Sequence, residues 1–467
     1  MKLGVIITNR SFFPAHLVLT ERRNLLGRLA EKGIEAVILG EEETPLGAVM
    51  TLSDAKACAA LFQRQRDAID GVLVILPNFG DETAVAETLD RAKLDVPVLI
   101  VACDDDLSRL QLENRRDAFC GKLSVMNNLY QRGIRFTQTL RHTMTLTGPA
   151  FGAELDRFAG ICRVVRGLSR ARIGAIGARP GAFHTVRYSE KLLQASGITV
   201  DTVDLSEIIA AAQAMARTPE VEAMMAKIRS YGRIASTVAE AKIERQAKIA
   251  LALESWVAQN ECDASAVQCW DSIQNNYGCA TCLSMSMMGE AGKPSACEMD
   301  VTGAVTMLAL QLASGNASAY LDWNNNWGAE DDVCINLHCS NFPKSFFGKP
   351  DVEIGTLDVL GTTLGQENTF GAVKAQVAEG PMTFAKITTD DRNGRIKAYV
   401  GEGAFRADTV PTPGGVALCQ VDNLQALLHH MGRNGYEHHV AMNRGLTADI
   451  LVEAFENYLG WEVYRHR

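Results

Sequence analysis

Short apolar runs alternate with helix-length amphipathic segments from the start of the chain. Leu3 to Thr8 is the first such run, followed by an amphipathic stretch through Glu31. VILG at 37–40, a helical pattern over 53–66, GVLVILPNFG from Gly71 and VPVLIVAC at 96–103 continue the alternation. Runs without internal polar residues suit strands covered on both faces, and their spacing predicts parallel β/α units of a doubly wound sheet. Polar residues after these runs, Asn9 and Arg10, Asn78 and Asp81, and Asp104 to Asp106, fall where strand C-terminal ends present ligand-facing loops. Helix caps and solvated side chains occupy the same places.

A helix and crossover over 121–152 lead away from this unit. ARIGAIGARP, from Ala171, and EKLLQASGITVDTVDLSEI then read as a second strand, turn, helix and strand. The glycines from Gly174 are spaced G-x-x-G-x-x-x-G, which is not the dinucleotide fingerprint, so a tight turn presenting Arg179 to a carboxylate, a sugar hydroxyl or solvent is the better expectation. Pro219 to Gln259 is helix-rich. After Pro343 the period shortens: VEIGTLDVL, MTFAKITTD and GRIKAYVGEG predict a β-rich region, closed by YEHHVAMNRG and a helix near 447–459. The fold class expected is therefore α/β, with two doubly wound α/β domains followed by a β-rich C-terminal domain. The divisions fall at 1–168, 169–345 and 346–467.

Composition narrows the function. The 467 residues are 47% hydrophobic and 22% charged, ordinary globular usage, and the formal charge of -9 argues against a general affinity for nucleic acid or anionic membrane. The start lacks the pattern of a secretory signal, and no long uncharged apolar stretch follows, so a cytoplasmic, membrane-free chain acting on a small molecule is expected. Twelve cysteines in that setting are expected to be thiols. Seven of them lie between Cys262 and Cys339. Cys279 and Cys282 have the spacing of a thiolate pair, but no second close pair follows; with Cys297, Cys334 and Cys339 they are assigned to core packing, metal binding being the lesser reading.

Oxygen and imidazole donors share that region. Glu298 and Asp300 follow a loop containing Gly292 and Pro294, Asp322 follows AYL, and His338 ends the run CINLH. Glu298, Asp322 and a histidine from another element have the chemistry of a divalent cation site; solvated acids and a core histidine account for the same residues. His438 and His439 are adjacent in a strand or strand end, where alternation aims one imidazole into a site. His438 is marginally preferred. Gln274, Asn275, Asn276, Trp323, Asn324 and Asn325 offer hydrogen bonds and an aromatic surface for a sugar, and Arg10 or Arg179 could recognise an acidic, sulfonated or phosphorylated one.

Taken in order, IQNNYGCATCLSMSMMGE, PSACEMDVTGA, YLDWNN and YEHHVAMNRG resemble the L-fucose isomerase and L-arabinose isomerase superfamily, closer to its fucose-isomerase-like branch. The resemblance implies a metal-dependent aldose–ketose isomerase acting on an open-chain monosaccharide, plain or modified, through an enediolate. It implies Mn2+, with Co2+ or Mg2+ as substitutes, held by Glu298, Asp322 and one of His438 and His439. His338 matches an intermediate histidine of the arabinose branch. Glu298 is the implied base and Asp322 its acid–base partner, with the order reversible. A homo-oligomer is implied too, a hexamer ahead of a trimer. A metal-assisted sugar aldolase or transferase, and a non-catalytic carbohydrate-binding protein, are the alternative readings.

Overall fold

The computed structural model describes residues 1–349 and 351–467 and divides into two compact units. One comprises Met1–Arg166 and Glu453–Gly460; the other comprises Gly167–Val452 and Trp461–Arg467.

The first unit is built on a five-stranded parallel sheet. Its strands are Lys2–Ile7, Glu35–Val37, Gly71–Leu76, Val98–Cys103 and Thr137–Met144, and the second in sequence lies at the edge beside the first, giving the order 2-1-3-4-5. This is a doubly wound order. The apolar runs explain it: every residue of Gly71–Leu76 and Val98–Cys103 is buried, as central parallel strands require. A lysine is buried in this unit too. Lys122 donates through Nζ to the Thr139 hydroxyl at 2.7 Å and the His142 carbonyl at 2.9 Å.

The second unit holds two sheets. Arg172–Ile176, Thr199–Val203, Ala264–Val267 and Ser295–Ala296 form a four-stranded parallel sheet. The other is a mixed sheet of ten strands, the β-rich part of the fold expected from the short runs after Pro343. Near its middle, Ser318–Trp327 lies between Glu330–His338 and His439–Arg444, and His439–Arg444 in turn lies between Ser318–Trp327 and Gly380–Asp390.

The helix Val301–Ser314 joins the two sheets, packing on strands of both. Its sequence VTGAVTMLALQLAS is apolar all round, as an internal helix requires, and all but three of its residues are buried. The Asp300 carboxylate caps its start, accepting the Gly303 N–H at 2.7 Å. Gly303 is a packing requirement, because a Cβ there would lie 2.5 Å from the Tyr320 ring. Among the described residues no helix is long and apolar enough to cross a membrane.

Candidate metal centre

Four segments of the second unit bring donors together. Asp322 and His439 stand directly opposite each other in neighbouring antiparallel strands, a register that puts both side chains on one face. His338 ends the strand on the other side of Asp322. Glu298 arrives from the turn before the internal helix, where it and Met299 take left-handed backbone angles, φ 60° and 58°. Such angles cost about 1–3 kcal/mol for a residue with a side chain. The turn is pinned by the Met299 N–H on the Val267 carbonyl at 3.1 Å.

The donor atoms converge. His439 Nε2 lies 2.9 Å from Glu298 Oε2 and 3.4 Å from Asp322 Oδ1; His338 Nε2 lies 3.5 Å and 3.6 Å from the same two oxygens. Glu298 Oε2, Asp322 Oδ1 and His439 Nε2 are each buried without a hydrogen-bond partner. Three orphaned buried atoms aimed at one another are costly unless something shared satisfies them. Two carboxylate oxygens and two imidazole nitrogens suit a divalent cation of the manganese class. Asp322, with a side chain 21% exposed, is the donor open to solvent, so a ligand reaches the site on its side.

The surrounding groups fix the orientation. His439 Nδ1 contacts Asp300 Oδ2 at 3.0 Å. An ionised carboxylate only accepts, so Nδ1 carries a proton and Nε2 is the nitrogen turned toward Glu298 and Asp322, free to bind an ion once it gives up its own proton. Asp300 Oδ2 also accepts from Lys386 Nζ at 2.7 Å and from the Tyr320 hydroxyl, and Oδ1 accepts from Thr302 at 2.9 Å. Asp300 and Lys386 are fully buried. Burial would raise the Asp300 carboxyl, but the Lys386 ammonium and then His439 hold it well below the usual range. Burial likewise pushes Glu298 up, while His338 and His439 outweigh it and keep it ionised. The Trp270 indole N–H donates to Glu298 Oε1 at 3.0 Å, and Phe183 sets its ring edge-on against Trp270 and His438.

His438 precedes the strand and escapes its alternation. Its Nε2 lies 3.8 Å from Asp322 Oδ1, yet the side chain is 42% exposed, whereas that of His439 is fully buried. Strand alternation turns Trp323 away from Asp322: its indole N–H donates to the Tyr399 hydroxyl at 3.0 Å and its ring packs edge-on against Phe384. Asn324 accepts the Leu337 N–H at 2.7 Å at a strand irregularity, and Asn325 is exposed. Gln274 is buried and donates to the Cys269 carbonyl at 2.8 Å; Asn276 bonds back to Ser272 within its own short helix, and Asn275 is exposed. Arg179 donates to the carbonyl of Gly181 at 3.1 Å, and it is Phe183 from that loop that meets the histidines. Arg10 belongs to the first unit, where it pairs with Glu82 and lies over the Phe79 ring at 4.7 Å. The residues not anticipated are Trp270, Phe183, Lys386 and Asp300 as the partner of His439. Lys386 leaves a trace in the sequence, a lysine on the inward alternation of MTFAKITTD.

A cleft of about 1050 Å³ in the second unit has Met299 in its wall, together with more arginines and lysines than the acids Asp390, Asp391 and Glu437 that share it. Among the described residues no carboxylate lies within 4.0 Å of the guanidinium groups of Arg179, Arg187, Arg392 or Arg433, which all line it.

Comparisons with known proteins give the following. The fucose/sulfoquinovose isomerase N-terminal domain matches residues 4–169, and the L-fucose isomerase C-terminal domain matches residues 336–467. Glu298 and Asp322 lie between the two matches; His338, His438 and His439 lie within the second. A sulfoquinovose isomerase of Priestia aryabhattai is 24% identical over 306 residues, 65% of this chain and 66% of that protein. Another, of Alkalicoccus urumqiensis, is 26% identical over 277 residues, 58% and 59% of the two chains. The chain thus spans just under two thirds of the length of the first of these relatives and less of the second. A solved structure, the glucose-galactose binding protein GanP of Geobacillus stearothermophilus, aligns at 15% identity over 67% of this chain and 91% of that one; its TM-score of 0.16 carries no argument.

Proposed function

The chain belongs to the fucose and arabinose isomerase superfamily, and on that premise we propose that it is a metal-dependent aldose–ketose isomerase acting on an open-chain sugar with an anionic substituent. The observation that carries the proposal is a pair of overlapping donor triads, Glu298 with His338 and His439 and Asp322 with His438 and His439, in which Glu298 Oε2, Asp322 Oδ1 and His439 Nε2 are otherwise orphaned. We assign Mn2+ to that point, with Co2+ or Mg2+ as substitutes. A bound divalent cation would lower the cost of negative charge developing on the two neighbouring substrate oxygens as an enediolate forms.

The side chains divide the remaining work. Glu298, oriented by the Trp270 indole on Oε1, is the group that removes the proton from the carbon beside the carbonyl. Asp322, at the open side, handles the oxygen proton and its return; both carboxylates reach one small reaction centre. His439 and His338 hold position through Nε2, the former oriented by Asp300. Phe183 and Trp270 limit water at the reacting atoms. The arginine-lined cleft supports an anionic substrate, because cations in a concave wall concentrate anions. A sulfonated aldose is the first candidate, on the strength of relatives named sulfoquinovose isomerase.

The test is incubation of ion-free and Mn2+-loaded protein with neutral, phosphorylated and sulfonated aldoses, following ketose formation and incorporation of solvent hydrogen. Mn2+-dependent formation of an equal-carbon ketose is expected, fastest with the sulfonated sugar. Shorter carbon products would indicate aldol cleavage, and binding without product a non-catalytic role. Glu298→Gln should lower turnover by about 100-fold or more; near-parental turnover in a folded, metal-loaded variant would sink the assignment. Asp322→Asn, measured together with Mn2+ affinity, separates loss of proton transfer from loss of the ion.

A further inference from the structure

Next to the oxygen and imidazole donors lies a second set of different chemistry. Cys269, Cys297 and Cys339 come from three separate segments: beyond the strand Ala264–Val267, beyond Ser295–Ala296, and beyond Glu330–His338. Their sulfur atoms lie within 4.8 Å of one another. Cys269 and Cys297 are buried, Cys339 is partly exposed, and all three are free thiols. A fourth thiol, Cys282, lies against Cys297.

The spacing is close to that of a metal site. A point equidistant from three atoms no more than 4.8 Å apart (4.8 Å divided by √3) is at most about 2.8 Å from each, against about 2.3 Å for a zinc–thiolate bond. An inward shift of about half an ångström per sulfur closes the difference. Such thiols are ordinarily inert packing, but packing does not require three sulfurs from three segments to share one centre. Thiolates select thiophilic cations, whereas the carboxylate and imidazole set beside them suits harder ones. The two sets adjoin: Cys297 precedes Glu298, Cys339 follows His338, and the Cys339 thiol lies against the His338 ring.

We propose that Cys269, Cys297 and Cys339 form a second metal site, which binds one thiophilic d10 cation of the Zn2+ or Cu+ kind through three sulfurs and braces the turn carrying Glu298 against the strand end carrying His338. Each thiol yields its proton to solvent as its sulfur binds, and no redox step is involved.

The test uses the full-length chain, reduced, stripped with a chelator and titrated with Cd2+ as a spectroscopic substitute for Zn2+. The expected result is an ultraviolet sulfur-to-cadmium charge-transfer band that saturates at one equivalent, persists in excess Mn2+ and persists in Asp322→Asn. Cys339→Ser and, independently, Cys269→Ser should weaken Cd2+ binding by about 100-fold, while Cys120→Ser, an exposed thiol elsewhere, leaves the band intact. Slower alkylation of Cys339 in the presence of Zn2+ is the second readout, free of any folding defect in a variant. Absence of the band, its survival in both serine variants, or unchanged alkylation with Zn2+ would overturn the proposal.

Discussion

Replacing Asp300 by Asn separates two functions of one carboxylate. Asp300 and Lys386 form an ion pair at 2.7 Å with both side chains fully buried. Removing one charge strands the other in a medium that cannot solvate it, a loss of about 3–5 kcal/mol. The same carboxylate fixes the His439 ring, and loss of such an outer hydrogen bond weakens metal affinity about 10–100-fold, or about 1.4–2.7 kcal/mol. The double variant Asp300→Asn with Lys386→Met removes both charges, so it should recover most of the stability and none of the affinity. Denaturant unfolding measures the first quantity and calorimetric titration with Mn2+ the second. The reasoning fails if the single variant is as stable as the double, or if either binds Mn2+ as tightly as the parent.

Four further outcomes are expected. Gly303→Ala forces a methyl into the Tyr320 ring and should destabilise the second unit by about 1–3 kcal/mol in denaturant unfolding, with a fall in Mn2+ affinity because Tyr320 supports Asp300. Burial acts to lower His338 and His439, but Asp322 beside the first and Asp300 beside the second outweigh it, so both titrate above the ordinary imidazole range. An ion must displace those protons; calorimetric Mn2+ affinity should therefore fall as pH drops through that raised range, by about tenfold per unit for each imidazole. Lys122 is held down to about 8 by burial, so between pH 8 and the ordinary lysine range the unfolded chain binds the extra proton and stability from this group rises with pH. The thermal midpoint of Lys122→Met should exceed the parent's at pH 7, and the gap should narrow toward pH 10. If the arginine cleft holds an anionic substituent, added salt should raise KM for sulfonated or phosphorylated sugars and leave KM for neutral ones unchanged in steady-state assays.

The α/β units were legible because a strand buried on both faces must be a continuous apolar run, as Gly71–Leu76 is. The acids Glu298 and Asp322 were visible as charged residues in apolar surroundings. Their relation to His439 was not, because strand register across distant segments is a tertiary property: His439 and Asp300 stand 139 residues apart. The left-handed turn at Glu298 and Met299 was equally hidden, since neither residue type advertises that conformation. Trp323 is the reverse case. An aromatic beside an acid suggests a sugar platform, but adjacent strand residues point to opposite faces, and its partly buried ring packs against the core. The thiols were read by sequence spacing, which favoured Cys279 and Cys282, whereas the sulfurs that meet come from segments with no short spacing between them.

The strand His439–Arg444 lies between two partners that precede it in the chain. A ribosome therefore completes both flanking strands, and the residues bearing Glu298 and Asp322, before the last donor exists. Until that strand inserts, the sheet has an open slot and Glu298 and Asp322 have only the His338 imidazole beside them. Ion capture is then a late event that reports insertion of a central strand, and a nascent chain halted before His439 would hold the donor set incomplete. Mn2+ retention would make a convenient assay of how far synthesis and sheet closure have gone.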